Sequence, residues 1–423
     1  MCSSLPSSAY WAVGFVRPQA ADARPDFAGE TRAASIVAGL TVPYWLDSEA
    51  PTYPPLAGDE RVDVVVVGGG VTGLACARLL AENGLCVRVL EARRAATGAS
   101  GRNGGFALRG LSVPYAQNRL TDVWRFTEET VDRMAELAGD AFRRAGSLYV
   151  VASEEEAAGA RAEQKALLED GFVAEWVERE QLPPLLRSHF LGGVHNPSDG
   201  ALHPGRWARR MASLAAQAGA AIADQTRALE ISGTTVTTER GTVSAEHVVV
   251  ATDGYTHKLL PELDEVITPA RAQMIATAPL PERHFDQVVA SREGWDYWQQ
   301  TADKRLLMGG QRDLELDNEF TRDDEPSDPI QSRIEEFART LVPDLPQVTH
   351  RWAGSMGFTP DWMPLVGALP GRPGVSVSLG YSGHGNVLAL GCGEAVAKAI
   401  LGQREPRLEP LSPERILGAR VPA

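Results

Sequence analysis

Gly68, Gly70 and Gly73 stand in GxGxxG spacing within "DVVVVGGGVTG", directly after four valines. Glycines at these steps allow a tight turn, close approach of a pyrophosphate to the backbone, and close packing of the following helix on its strand. Val71 and Thr72 open that helix, whose first N–H groups present a partial positive charge to phosphates. Glu91, followed by Ala92, closes the next apolar run 23 residues after Gly68. A carboxylate placed there accepts hydrogen bonds from ribose hydroxyls and repels a 2′-phosphate, which disfavours NADP. This is the chemistry of a dinucleotide cradle.

Three more segments belong with it. "GASGRNGG" supplies Gly98, Ala99, Ser100, Arg102, Asn103, Gly104 and Gly105: backbone donors able to face phosphate or ring oxygens, with one guanidinium among them. "ATDGYT" ends a valine-rich strand at Thr252. "LGYSGHGNV" carries Gly380, Tyr381, Gly383, His384, Gly385 and Asn386 from an apolar strand into an apolar helix. No HExxH or Cys/His pattern is present, so no catalytic metal is expected.

The elements that must position these residues read clearly. Residues 62–67 predict a buried strand, 74–83 a helix closed by Gly84, and 85–90 a second strand: one βαβ unit. A glycine loop then replaces the next βα unit. Helices are expected over 121–142, 154–170, 205–218 and 329–341, and strands over 147–153 and 246–254. Residues 266–312 alternate in the β manner.

The fold class is therefore α/β (α+β overall), a discontinuous Rossmann-like domain with an inserted β-rich substrate domain. The expected order is an N-terminal extension over 1–42, loosely packed and surplus to cofactor binding, then cofactor segments 43–145, 196–262 and 349–423. Substrate-domain segments 146–195 and 263–348 lie between them. This interrupted topology favours FAD over NAD.

At 423 residues the chain has room for two cores, and a net charge of −14 argues against nucleic acid and anionic membrane surfaces as partners. Cys2, Cys76, Cys86 and Cys392 show no CxxC spacing and read as small buried hydrophobes. A cytoplasmic location fits, and no basic-then-apolar leader is apparent. Residues 62–81 are mostly apolar, but Asp63, Arg78 and the glycines mark strand, turn and helix rather than a membrane span.

The first glycine turn, "GASGRNGG", "RWAGSMGFTPDWMPLVG" and "GYSGHGN" together resemble the FAD-dependent amine and amino-acid oxidoreductases of the D-amino-acid oxidase superfamily. The closest likeness is to its gamma-glutamylputrescine oxidoreductase branch, over roughly residues 43–402. The resemblance implies FAD between these segments, with Asp361 among the cofactor residues and the helix after His384 facing the flavin pyrimidine ring. It implies hydride transfer from the carbon beside an amine, giving an imine that water hydrolyses. Relatives with covalent flavin use a histidine in the loop matching 98–105, or a cysteine seven residues before the Asp matching Asp361. Here the loop has no histidine and that position is Gly354, so FAD is expected to be non-covalent.

The expected substrate is a primary or secondary amine, led by a gamma-glutamylated diamine. An amino acid or N-methyl amino acid, or an amine of specialised metabolism, is the alternative. The acceptor is O2 or another oxidant, with an oxidase placed ahead of a dehydrogenase although no lysine lies within "RLLMGG" beside Lys304. Tyr381, His384, His203 and Trp298 are the candidate substrate-positioning residues, with Tyr297 and Trp352 as further aromatics. Arg109, Arg271 and Arg305 are candidates for a substrate carboxylate.

Overall fold

The computed structural model describes residues 42–418. The expectations for residues 1–41, and for Cys2 among them, lie outside it. Val64–Val67, Val87–Leu90, Ala221–Ala223, His247–Val250 and Val375–Leu379 pair in parallel, and Leu365–Ala368 adds an antiparallel edge beside Val375–Leu379. The four valines sit at the centre, and their alternation explains the layering. Val64 and Val66 face the helices Val71–Glu82, Pro204–Gln217 and Gly385–Ile400. Val65 and Val67 face the opposite layer, which includes the strands Ala228–Ser232, Thr235–Thr238 and Gly241–Ser244. A strand buried on both faces has no polar side, hence the unbroken apolar run.

The second large sheet has eight strands in the order Val348–Phe358, Thr268–Pro279, Arg305–Gly310, Asp296–Gln300, Val288–Ser291, Ser147–Val151, Gly192–Asn196, Glu175–Glu178. One face packs on the amphipathic helix Asp328–Leu341 through Ile330, Ile334 and Leu341. Val348–Phe358 pairs along nearly its full length with Thr268–Pro279 in this sheet. The expected division at 348/349 therefore does not follow the strands; the sheet runs through it.

Three local expectations change. The helix expected over 121–142 ends at Ala138, because Gly139 (φ +55°) reverses the chain and Phe142 enters a short strand. The loop 98–105 contains one helical turn, Ala99–Arg102. Cys76 and Cys392 are buried, but Cys86 is exposed at the helix–strand turn. Among the described residues no helix is long and apolar enough to cross a membrane.

The Pro-rich lead, residues 43–61, is anchored to the cofactor segment near its start. Trp45 is 1% exposed and donates its indole N–H to Asn103 O at 2.8 Å. A Cβ on Gly205 would collide with Trp45 O, so the lead and the helix Pro204–Gln217 pack backbone to backbone.

Candidate functional site

The first glycine elbow needs its glycines for separate reasons. Gly68 has φ +112°, and a Cβ there would lie 2.5 Å from Ala251 O. A Cβ on Gly73 would strike Gly68 O, so only glycine lets the helix approach its strand. At Gly70 a Cβ would meet Ser100 Oγ at 3.0 Å, and that oxygen accepts a hydrogen bond from Val71 N at 3.1 Å. A side-chain oxygen thus already sits at the helix N-terminus, where phosphate oxygens bind in such turns. Glu91 accepts from Gly69 N at 2.9 Å and Arg93 N at 2.8 Å, while burial raises its carboxyl pKa. The backbone of Ala251 and Thr252 backs this elbow at Gly68, and the Thr252 hydroxyl is hydrogen-bonded to that of Thr256 (2.9 Å).

The second elbow runs through Gly380 (φ +78°), Ser382 (+51°) and Gly383 (+86°) into the helix Gly385–Ile400. Asp253, half-buried in the "ATDGYT" turn, holds it by accepting from Gly380 N at 2.8 Å and Tyr381 N at 3.3 Å, and from Gly357 N at 2.8 Å. Sequence reasoning had singled out the turn but not the aspartate.

The turn Ala99–Arg102 and its Asn103 join the two elbows. Ser100 touches the first, and Asn103 and Asn386 exchange side-chain amide hydrogen bonds of 3.0 Å with each other. Tyr381 Oη is hydrogen-bonded to Thr72 Oγ1 (3.0 Å) and Ser378 Oγ (2.8 Å). Arg102 donates to Thr97 O and Ala353 O and borders Gly354. Two indoles fix this segment from outside: Trp45 on Asn103 O, and Trp352 on Arg102 O at 2.7 Å. Gln299 adds a bond to Gly104 O at 2.7 Å.

A cavity opens between this junction and the eight-stranded sheet. Ala99, Arg102, Asn103, Gly104 and residues 382–384 and 386–387 form one wall. Met274, Tyr297, Met356, Glu293 and Arg312 form the opposite one. Backbone donors, a helix N-terminus and small residues on one side suit a flat, electron-accepting ring. Aromatic, apolar and charged groups on the other suit a small substrate.

The family model for FAD dependent oxidoreductase (DAO) matches residues 63–399, which span both elbows and both large sheets. The chain belongs to this family. Its members use FAD and act on amines or amino acids. The chain is 32% identical over 391 residues to the probable oxidoreductase OrdL of Rhizobium meliloti (strain 1021), covering 84% of this chain and 86% of that protein. It is 29% identical over 374 residues to the gamma-glutamylputrescine oxidoreductase of Escherichia coli (strain K12), covering 81% and 84%. The crystal structure of glycine oxidase from Geobacillus kaustophilus superposes with a TM-score of 0.72 at 23% identity, covering 83% of this chain and 98% of that one.

Within this family fold, several candidate residues have other duties. Trp298 points away from the cavity into the core with Phe190, Phe285 and Phe337, because successive strand residues face opposite ways and Tyr297 takes the cavity side. His203 caps the helix Pro204–Gln217, accepting from Arg206 N at 3.2 Å, and packs on Trp45. Burial and Arg206 push its pKa down to about 4, so it is a neutral structural imidazole. Asp361 forks onto Arg415 at 2.7 and 3.1 Å, and its neighbour Trp362 reaches the cavity instead. Tyr381 spends its hydroxyl between the elbows. His384 does line the cavity, donating from Nε2 to Arg109 O at 3.0 Å.

The arginines sort as sharply. Arg109 is buried against Asp199 and Glu128, and Arg271 against Glu319. Arg305 pairs with Asp303 at the surface. Arg312 was not foreseen, yet it lines the cavity at 9% exposure, stacked 4.7 Å above Trp295. Among the described residues no carboxylate forms an ion pair with it, and its Nε has no hydrogen-bond partner. Burial lowers its pKa. Glu293 shares the cavity, its carboxyl pKa raised to about 7 by burial and by Glu156 and Glu155.

Proposed function

We propose that the chain oxidises the C–N bond of a primary or secondary amine that also carries a carboxylate. The product is an imine that water hydrolyses to an aldehyde or oxo acid. The observation that carries this reading is Arg312, a buried guanidinium facing the cavity with no carboxylate at ion-pair distance among the described residues. Leaving such a charge unpaired is costly, and a substrate carboxylate relieves it with a bidentate, charge-assisted contact.

The residues present fit FAD. Gly68, Gly70, Gly73 and Glu91 would hold the adenosine and pyrophosphate portion. Ser100, Asn103, Gly104, Gly383 and Asn386 would border the ring. FAD would supply the acceptor for the two electrons that leave the carbon beside nitrogen as a hydride, the nitrogen proton being released separately. The protein orients that C–H bond and excludes water with Tyr297, Met274 and Met356. Non-covalent binding is supported by Gly354, which offers no side chain beside Arg102, and by the absence of histidine from 98–105. The unpaired cysteines, Cys86 exposed among them, support a reducing, cytoplasmic setting.

A gamma-glutamylated diamine is the leading substrate, supported by the likeness to the Escherichia coli oxidoreductase. An amino acid or N-methyl amino acid is the second reading, since Arg312 serves its carboxylate equally well. Dioxygen is taken as the electron acceptor. A turnover panel of gamma-glutamylated diamines, free diamines, sarcosine, glycine and D-amino acids, with hydrogen peroxide and carbonyl product measured, tests all three points. Turnover confined to free diamines contradicts the carboxylate requirement.

A further inference from the structure

A second cavity lies against the first and shares Phe106, Leu108, Ala290 and His384 with it. Phe106 and Leu108, both half-buried, make the common wall, while Ala107 is buried in the protein and Arg109 borders the second cavity. The far wall is the helix Glu154–Glu169. It presents Ala160, Glu163 and Leu167, one helical face at i, i+3 and i+7, with Gly159 beside them. The small side chains of Gly159 and Ala160 keep the space open. Val288 and Ala290 of one strand, Ser147 and Tyr149 of the next and Val194 of the third form its floor.

The charged groups on this second wall are already engaged. Glu163 accepts from Tyr115 N at 2.7 Å and Ala116 N at 2.8 Å, and Arg109 meets Asp199 at 3.0 Å. The surface left for a ligand is mainly apolar, with the Trp124 indole N–H as its one buried donor lacking a partner among the described lining residues, and continuity with the first cavity identifies what enters it.

We propose that this side chamber holds an alkyl or aryl arm of the amine substrate, reached past Phe106 and Leu108, while the carboxylate stays on Arg312. The inference rests on the carboxylate-bearing amine reading and narrows it. Glycine and sarcosine leave the chamber empty, so the preferred substrate is a larger amine with an apolar segment, such as the methylene chain of a gamma-glutamylated diamine.

The test uses the FAD-loaded protein and straight-chain carboxylic acids from acetate to octanoate. These lack an amine and cannot be oxidised, so binding is read apart from turnover, through the shift they cause in flavin absorbance. Affinity is expected to rise about threefold per added methylene beyond butyrate. The Ala160→Phe variant, filling the chamber, is expected to lose that rise while binding acetate as the parent does. Ala160→Leu serves if the phenylalanine variant loses flavin. Acids that bind without any dependence on length, or a rise that survives the filled chamber, overturn the side-chamber assignment alone. Failure of every acid to bind overturns the Arg312 reading and this proposal with it.

Discussion

Tyr381 Oη lies 3.0 Å from Thr72 Oγ1, so a side chain of the C-terminal glycine turn is hydrogen-bonded to the first turn of the GxGxxG helix 309 residues earlier. Both groups are buried, and Ser378 completes the network. The two elbows are one construction. Tyr381→Phe leaves two buried hydroxyls without this partner and is expected to cost about 1–3 kcal/mol. Thermal unfolding of the flavin-loaded protein measures the loss. Activity per bound flavin should change little, since the phenol does not face the cavity.

Gly73→Ala places a methyl group against Gly68 O, a backbone atom that cannot step aside. The variant should purify without flavin, or with a dissociation constant raised at least about tenfold, the effect of roughly 1.4 kcal/mol. Absorbance of the purified protein, followed by titration with FAD, checks this.

Arg312→Ala removes the guanidinium on the substrate wall of the cavity. Hydrogen bonds to charged groups contribute about 1.5–3 kcal/mol, so affinity for a carboxylate-bearing amine should fall roughly 10- to 150-fold. Arg312→Lys should recover only part, because an ammonium cannot form the two-pronged contact. Equal loss for amines with and without a carboxylate would argue for a packing role.

Glu293 makes the site sensitive to pH. Its pKa, raised to about 7 by burial and by the neighbouring Glu156 and Glu155, leaves it largely neutral below that pH and anionic above. Releasing the proton adds a negative charge to a cavity that binds a carboxylate. Affinity for acetate should therefore be greatest in mildly acidic solution and decline as pH rises through about 7. Glu293→Gln should flatten that decline. The same carboxyl adds stability below its unfolded-state pKa, and this is lost as pH rises through the folded value.

Much of the cofactor half was readable from the chain because backbone geometry dictates it. A glycine that must abut a carbonyl, or adopt positive φ, leaves its mark in the sequence, as Gly68, Gly73 and Gly380 do. A doubly buried strand shows itself as "VVVV". The substrate half was less readable, since partner choice there is tertiary. Nothing in "GGQRDLE" distinguishes Arg312 from Arg109, Arg271 or Arg305 until Asp199, Glu319 and Asp303 are seen to occupy the other three. Period-two alternation places Tyr297 and Trp298 on opposite faces, but does not say which face meets the cavity. Asp361 lay in a cofactor-like motif, and its partner Arg415 stands 54 residues further on.

Anaerobic addition of carboxylate-bearing amines to the FAD-loaded protein tests the central claim most directly, because it asks whether the joined elbows hold a flavin that the cavity's ligand can reduce. Loss of the oxidised flavin's absorbance with at least one such amine, and its return on admitting air, is the expected result. A protein that takes up no FAD, or whose bound flavin stays oxidised across the whole panel, would contradict the account.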